Sequence, residues 1–95
     1  MPAMHFTLRW PDGRRQRCYS PSLVIKDYFQ PGSSYALPDF MQRSREALGI
    51  ASERVRAKYG FACSMALDQL AQIEAGAAPF ASQAGAQVAV TDFEE

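Results

Sequence analysis

Seven residues near the N-terminus restrict the fold more than any other stretch. In Met4-His-Phe-Thr-Leu-Arg-Trp10, the apolar Met4, Phe6, Leu8 and Trp10 alternate with His5, Thr7 and Arg9. A period of two puts one set on each face of a half-buried strand. Pro11-Asp12-Gly13 follows. Proline presets the backbone of a type I turn, aspartate suits it, and glycine takes the left-handed position. These residues fit a three-residue hairpin loop with a bulge at Gly13. Closing the loop at Trp10 and Arg14 sets the register of a second strand, about Arg14–Tyr19. Leu8 then faces Gln16, Phe6 faces Cys18, Arg9 faces Arg15, Thr7 faces Arg17 and His5 faces Tyr19. Cys18 points to the core. Arg9, Arg15, Arg17 and Tyr19 share the outer face with His5.

An isolated hairpin is marginal in water and needs a covering layer. Ser20-Pro21-Ser22 reads as a hydroxyl N-cap followed by proline in the first turn of a helix. Leu23–Phe29 is then a short helix, although its β-branched residues also suit a strand. Pro31-Gly32-Ser33-Ser34 ends it. A long helix is expected over Pro38–Tyr59, about 33 Å at the usual rise. Leu37, Met41, Ser44, Leu48, Ala51, Val55 and Tyr59 form its apolar stripe, widened by Phe40 and Ala47. Arg43–Glu46 and Glu53–Arg56 are spaced to pair across the polar side. Ile50 falls on that polar side and is a candidate protein contact. Gly49 costs the helix about 1 kcal/mol against alanine, so a close neighbour is expected there.

Arg54, Arg56 and Lys58 suit the negative end of the helix dipole. Gly60 is the expected left-handed stop, with Phe61 reaching back to Val55. A second long helix is read from about Ala62 to Ala75, with Gly76 ending it. Cys63, Ala66, Leu67 and Leu70 form its stripe, and Ala62, Met65 and Ile73 widen the apolar arc. An arc that wide suits two partners, which makes Met65 a second candidate protein contact. Residues 77–86 read as a flexible linker. Gln87–Phe93 regains strand character and is expected either to pair with the hairpin or to belong to an acidic tail ending in Glu94-Glu95. The expected class is α+β: an N-terminal β-hairpin, a short helix, two longer helices forming a helical hairpin, and a C-terminal third strand. The domain is read as residues 1–76, with 77–95 as linker and strand or tail.

Composition narrows the function classes. Ninety-five residues make one domain. No apolar run approaches the roughly 18 residues of a membrane span. The N-terminus lacks the charged and apolar regions of a signal peptide, so a cytoplasmic location is expected and a membrane partner is not. With two cysteines and one histidine, a disulfide scaffold and a His-rich metal site are excluded. The charges are segregated. Residues 1–60 hold all ten Lys/Arg against five acidic residues, a net +5, and residues 61–95 hold five acidic residues and no basic one. Attraction between the halves, within the fold or across a dimer, explains this better than a nucleic-acid surface, given a pI near 6.6.

Cys63 is the candidate reactive thiol, because a helix N-terminus and nearby cations lower a thiol pKa. Its place on an apolar stripe gives the competing reading of a small core residue. His5 on the outer face lacks the oriented partner a general base needs. No Gly-rich phosphate loop, Ser/His/Asp order or zinc spacing occurs. No catalytic residue, cofactor or metal site is therefore assigned.

Several stretches together resemble a small bacterial family named for the nitrogen-starvation response. They are Arg9-Trp-Pro-Asp-Gly13, Cys18-Tyr-Ser-Pro-Ser22, Lys26-Asp-Tyr-Phe29, Ser44-Arg-Glu-Ala-Leu48 and Arg54-Val-Arg-Ala-Lys-Tyr-Gly-Phe-Ala-Cys-Ser64. The resemblance covers about residues 1–76. It implies a gene cluster with a nitrilase, a radical-SAM protein and other enzymes, linked to nitriles or cyanide as nitrogen sources. It carries over no catalytic residue. The expected function is a non-enzymatic accessory or binding protein, a homodimer or a partner of an enzyme of that cluster. Two alternatives stand beside it. One is a thiol-dependent enzyme or redox sensor using Cys63. The other is a nucleic-acid-binding regulator using Arg9, Arg15, Arg17 and Tyr19.

Overall fold

In a computed structural model of the chain, the described residues are 2–61 and 64–95. The hairpin forms in the register its turn dictates. Strand β1 (Met4–Arg9) pairs antiparallel with β2 (Arg15–Ser20), from Met4 opposite Ser20 to Arg9 opposite Arg15. The loop closes with Trp10 N–H donating to Arg14 O (2.8 Å) and Gly13 N–H donating to Trp10 O (2.8 Å). Gly13 takes φ 92°, which only glycine adopts without a steric penalty.

The sheet has four strands rather than three, in the order β2-β1-β4-β3. The C-terminal strand β4 (Gln87–Glu94) lies between β1 and the edge strand β3 (Ser33–Ala36), antiparallel to both. Val88 and Val90 alternate inward and are fully buried, which sets the register of β4 against Leu8. The register shifts between Thr7 and Leu8. There Thr91 is the extra residue, and its hydroxyl donates to Thr7 O (3.4 Å) or Asp92 Oδ2 (2.8 Å). Strand β3 falls where only a turn was expected. Ser-Ser has little strand propensity; pairing with β4, begun by Gly32 N–H to Val90 O (2.7 Å), makes the strand.

The first helix differs from its sequence reading. Ser20 ends β2 and does not cap a helix; its hydroxyl donates to Ser22 O (2.7 Å). Helix α1 is one turn, Ile25–Tyr28, with no side-chain cap. Helix α2 runs over Leu37–Tyr59, close to the expected bounds. Its stripe is buried as far as Val55, but Tyr59 is exposed. Arg43 does not pair with Glu46. Its guanidinium bonds Asp39 (3.0 Å) and Tyr28 O (2.7 Å) and lies over the Tyr35 ring at 5.0 Å. Glu53–Arg56 pairs as expected (3.3 Å). Gly60 stops the helix in the left-handed conformation, φ 86°, with its N–H on Arg56 O. Phe61 remains 69% exposed and does not close over Val55.

Helix α3 spans Ser64–Ala77. Its buried face is Ala66, Gln69, Ile73 and Ala77, whereas Leu67 and Met65 face solvent. Gly76 lies inside α3 and does not end it. A methyl group there would sit 2.7 Å from Trp10 Cζ2 and 3.2 Å from Gln16 Oε1. Residues 78–80 form a 3-10 turn where a linker was expected, and Phe80 and Ala86 are buried. Both long helices pack on the Met4, Phe6 and Leu8 face of the sheet.

The two helical glycines therefore have opposite roles. The close neighbour expected at Gly49 is absent: nothing lies within 4 Å of a Cβ placed there. Gly49→Ala should stabilise the fold by about 1 kcal/mol, the difference in helix propensity. Gly76→Ala should cost a net ~1–2 kcal/mol, because overpacking exceeds that gain. Urea titrations of both variants check the opposite signs.

Candidate functional site

The structure distributes the sequence-predicted residues over three places. The first is the open face of the sheet. Arg9, Arg15 and Arg17 are exposed there, and Tyr19 is half-buried with its ring edge-on to His5 at 5.5 Å. Arg9 and Arg15 are direct cross-strand partners. The C-terminal strand β4 also brings acid. Thr7 has Asp92 as its β4 partner and His5 has Glu94. Arg17 Nε donates to Glu94 Oε2 at 2.9 Å across the intervening β1. This hydrogen bond, reinforced by the guanidinium charge, lowers the Glu94 pKa and raises that of Arg17. The face is of mixed charge and is less basic than the hairpin alone implied.

The second place is the thiols. Cys18 is fully buried opposite Phe6, and burial pushes its pKa up to about 12. It is a core residue and not a nucleophile at neutral pH. Cys63, the candidate reactive thiol, and any approach between it and Cys18 lie outside the described residues. Among the described residues, no group of His, Cys, Asp and Glu is placed to hold a metal ion, and no helix is long and apolar enough to cross a membrane.

The third place is the outer side of the helical layer. The exposed large apolar side chains among the described residues are Ile50, Tyr59, Phe61, Met65 and Leu67. All five belong to the second half of α2, its stop and the start of α3. Tyr59 is exposed because of length: α2 has 23 residues, about 34 Å of helix, and its last turn extends past the buried stripe. Lys58 Nζ sits 5.6 Å over the Tyr59 ring and screens only part of it. Arg45–Glu74 (3.1 Å) ties α2 to α3, and Arg54 Nη1 donates to Ser22 Oγ (2.8 Å) to fix the loop before α1.

Between Tyr28 of α1 and Leu67 of α3, the outer side of α2 forms an open groove of about 1030 Å³. Its lining includes Arg45, Glu46, Gly49, Ile50, Glu53 and Arg54. Ile50 lies in this groove and Met65 is 57% exposed on α3. Leu67, placed by its spacing in the core stripe, is instead on this surface. Periodicity missed it because Gln69 takes the buried position. Its Oε1 accepts from Tyr19 N–H at 2.9 Å, capping the free edge of β2.

The chemistry available on the outer helical side is apolar contact framed by charges of both signs, which suits protein association. The family model described as "Nitrogen starvation-induced protein NitG" matches residues 5–93. No curated protein and no solved structure matches the chain.

The Glu94 shift has a pH consequence. A carboxylate whose folded pKa is lowered adds stability above its ordinary pKa and loses it as pH falls through the lowered value. The Arg17–Glu94 contribution should therefore be present at neutral pH and vanish in acid. Because the pair is exposed, the effect is small. In an NMR titration, Arg17→Ala should return the Glu94 pKa towards the ordinary carboxylate range, upward from its wild-type value.

Proposed function

Because this chain belongs to the nitrogen starvation-induced NitG family, we propose that it serves the nitrogen starvation response as a non-enzymatic accessory protein. It acts by protein contact, in the cytoplasm, in the assimilation of nitrogen from nitriles or cyanide. The observation that carries this reading is the groove that Ile50 of α2 and Leu67 of α3 line together, with Met65 exposed two residues before Leu67 on α3. Scattered exposed apolar residues are ordinary, but a contiguous group is costly to leave in water unless something covers it.

The rival chemistries have less support. A nucleic-acid face would use Arg9, Arg15, Arg17 and Tyr19, yet Arg17 is engaged by Glu94 and Asp92 stands beside Thr7. A thiol-dependent activity rests on Cys63 alone, since the Cys18 thiol is held neutral by burial. Thiol labelling of the native protein at neutral pH thus reads Cys63 with little background.

Growth of a strain lacking this gene, with a nitrile as sole nitrogen source, tests the reading. Leu67→Asp and Met65→Asp should fail to restore growth although the variants accumulate and fold. Cys63→Ser and Arg9→Ala/Arg15→Ala should restore it. Loss of growth with Cys63→Ser and recovery with Leu67→Asp would transfer the function to the thiol.

A further inference from the structure

We propose that the partner seated in the α2 groove is a second copy of this chain, bound through an antiparallel α2–α2 crossing centred on Gly49. The proposal rests on the protein-contact reading above and names its partner. Gly49 supplies the first observation. A mid-helix glycine costs about 1 kcal/mol, and nothing inside the fold occupies the space its missing side chain leaves. Gly76, by contrast, is required by the Trp10 ring 2.7 Å from its would-be Cβ. The fold thus explains one glycine and not the other. A helix crossing at Gly49 explains the second, because interaxial distance falls with the size of the side chains at the contact.

Charge supplies the second observation. In an antiparallel pair related by a two-fold axis, residues equally far before and after the centre face each other. Arg45 and Glu53 lie four residues either side of Gly49 and share its helix face; both line the groove. With the axis at Gly49, Arg45 of each copy meets Glu53 of the other, so the favourable contact occurs twice. Moving the axis half a step, to between Gly49 and Ile50, sets Arg45 against Arg54 and Glu46 against Glu53, like against like. An axis at Ile50 would set Glu46 of each copy against Arg54 of the other, but Arg54 Nη1 is already held by Ser22 Oγ (2.8 Å), so the exposed charges free to exchange partners agree with the centre that the glycine marks. Ile50 beside the axis and Leu67 at the groove edge lose water in this arrangement. The contacts Arg45 and Glu53 now make, to Glu74 (3.1 Å) and Arg56 (3.3 Å), are exposed, and such pairs are readily exchanged.

Sedimentation equilibrium over a concentration series up to millimolar tests the proposal. The wild-type chain should dimerise. Arg45→Glu and Glu53→Arg should each weaken the dimer about tenfold or more, and the double swap Arg45→Glu/Glu53→Arg should restore it. Gly49→Trp should give a folded monomer, and Gly49→Cys should form a disulfide-linked dimer on oxidation. A wild-type monomer at every concentration, or a double swap that fails to restore association, overturns the proposal. If that monomer still loses function with Leu67→Asp, only the second-copy partner fails and the contact reading stands. A dimer with the predicted charge response whose Leu67→Asp variant still supports growth would instead support this proposal and count against the contact reading.

Discussion

Trp10 stands where the hairpin, α2, α3 and the 3-10 turn meet, and its indole must satisfy all of them. Its Nε1–H donates to Gln16 Oε1 at 2.9 Å. Phe40 of α2 meets its ring edge-on at 5.9 Å, and Phe80 stacks on it at 6.3 Å. Gly76 brings the α3 backbone against it with no room for a methyl group. A large aromatic buried with its N–H satisfied supplies both apolar area and a fixed orientation. The β-turn that precedes Arg14 aims this ring, so the hairpin closure also decides how close α3 comes. The 3-10 turn exists for the same reason: Phe80 has to reach the ring.

The rest of the fold deals with what that layer leaves open. A sheet edge carries unpaired N–H and C=O groups. At β2 the exposed edge is met by Gln69 reaching from α3 to Tyr19 N–H. At the other side β3 is only four residues long, a short edge that offers little to pair with. The charge asymmetry between chain halves is also resolved inside the molecule. Arg17–Glu94, Lys26–Glu95 and Arg45–Glu74 each join the basic half to the acidic one. The two C-terminal glutamates are therefore part of the folded surface, lying against the hairpin and α1.

Helix α2 carries two distinct surfaces. Its buried side, from Leu37 through Phe40, Ala47, Leu48 and Ala51 to Val55, closes the core. Its outer side combines Gly49 and Ile50 with paired charges before and after them. The inner side is demanded by folding, whereas the outer side is more apolar and less helix-favouring than a solvated face requires. The difference between these two sides is the basis for reading function on the helical layer and not on the sheet.

The sequence by itself determined the hairpin and its register, the extent of α2 and its stop at Gly60. Each rests on local rules: a period of two, the backbone limits of proline and glycine, and a period of 3.6. Cys18 as a core residue and Ile50 as an outward one followed from the same periodicity. Tertiary structure decided the rest. Ser33–Ala36 is a strand because β4 lies beside it, not because its serines favour one. Gln69 is buried and Leu67 exposed because the β2 edge needed a hydrogen-bond acceptor at that turn of α3. Gly76 ends nothing and admits Trp10, while Gly49 touches nothing. Local pattern shows that a glycine interrupts a helix's preference, but only the packed neighbours show what the missing side chain makes room for.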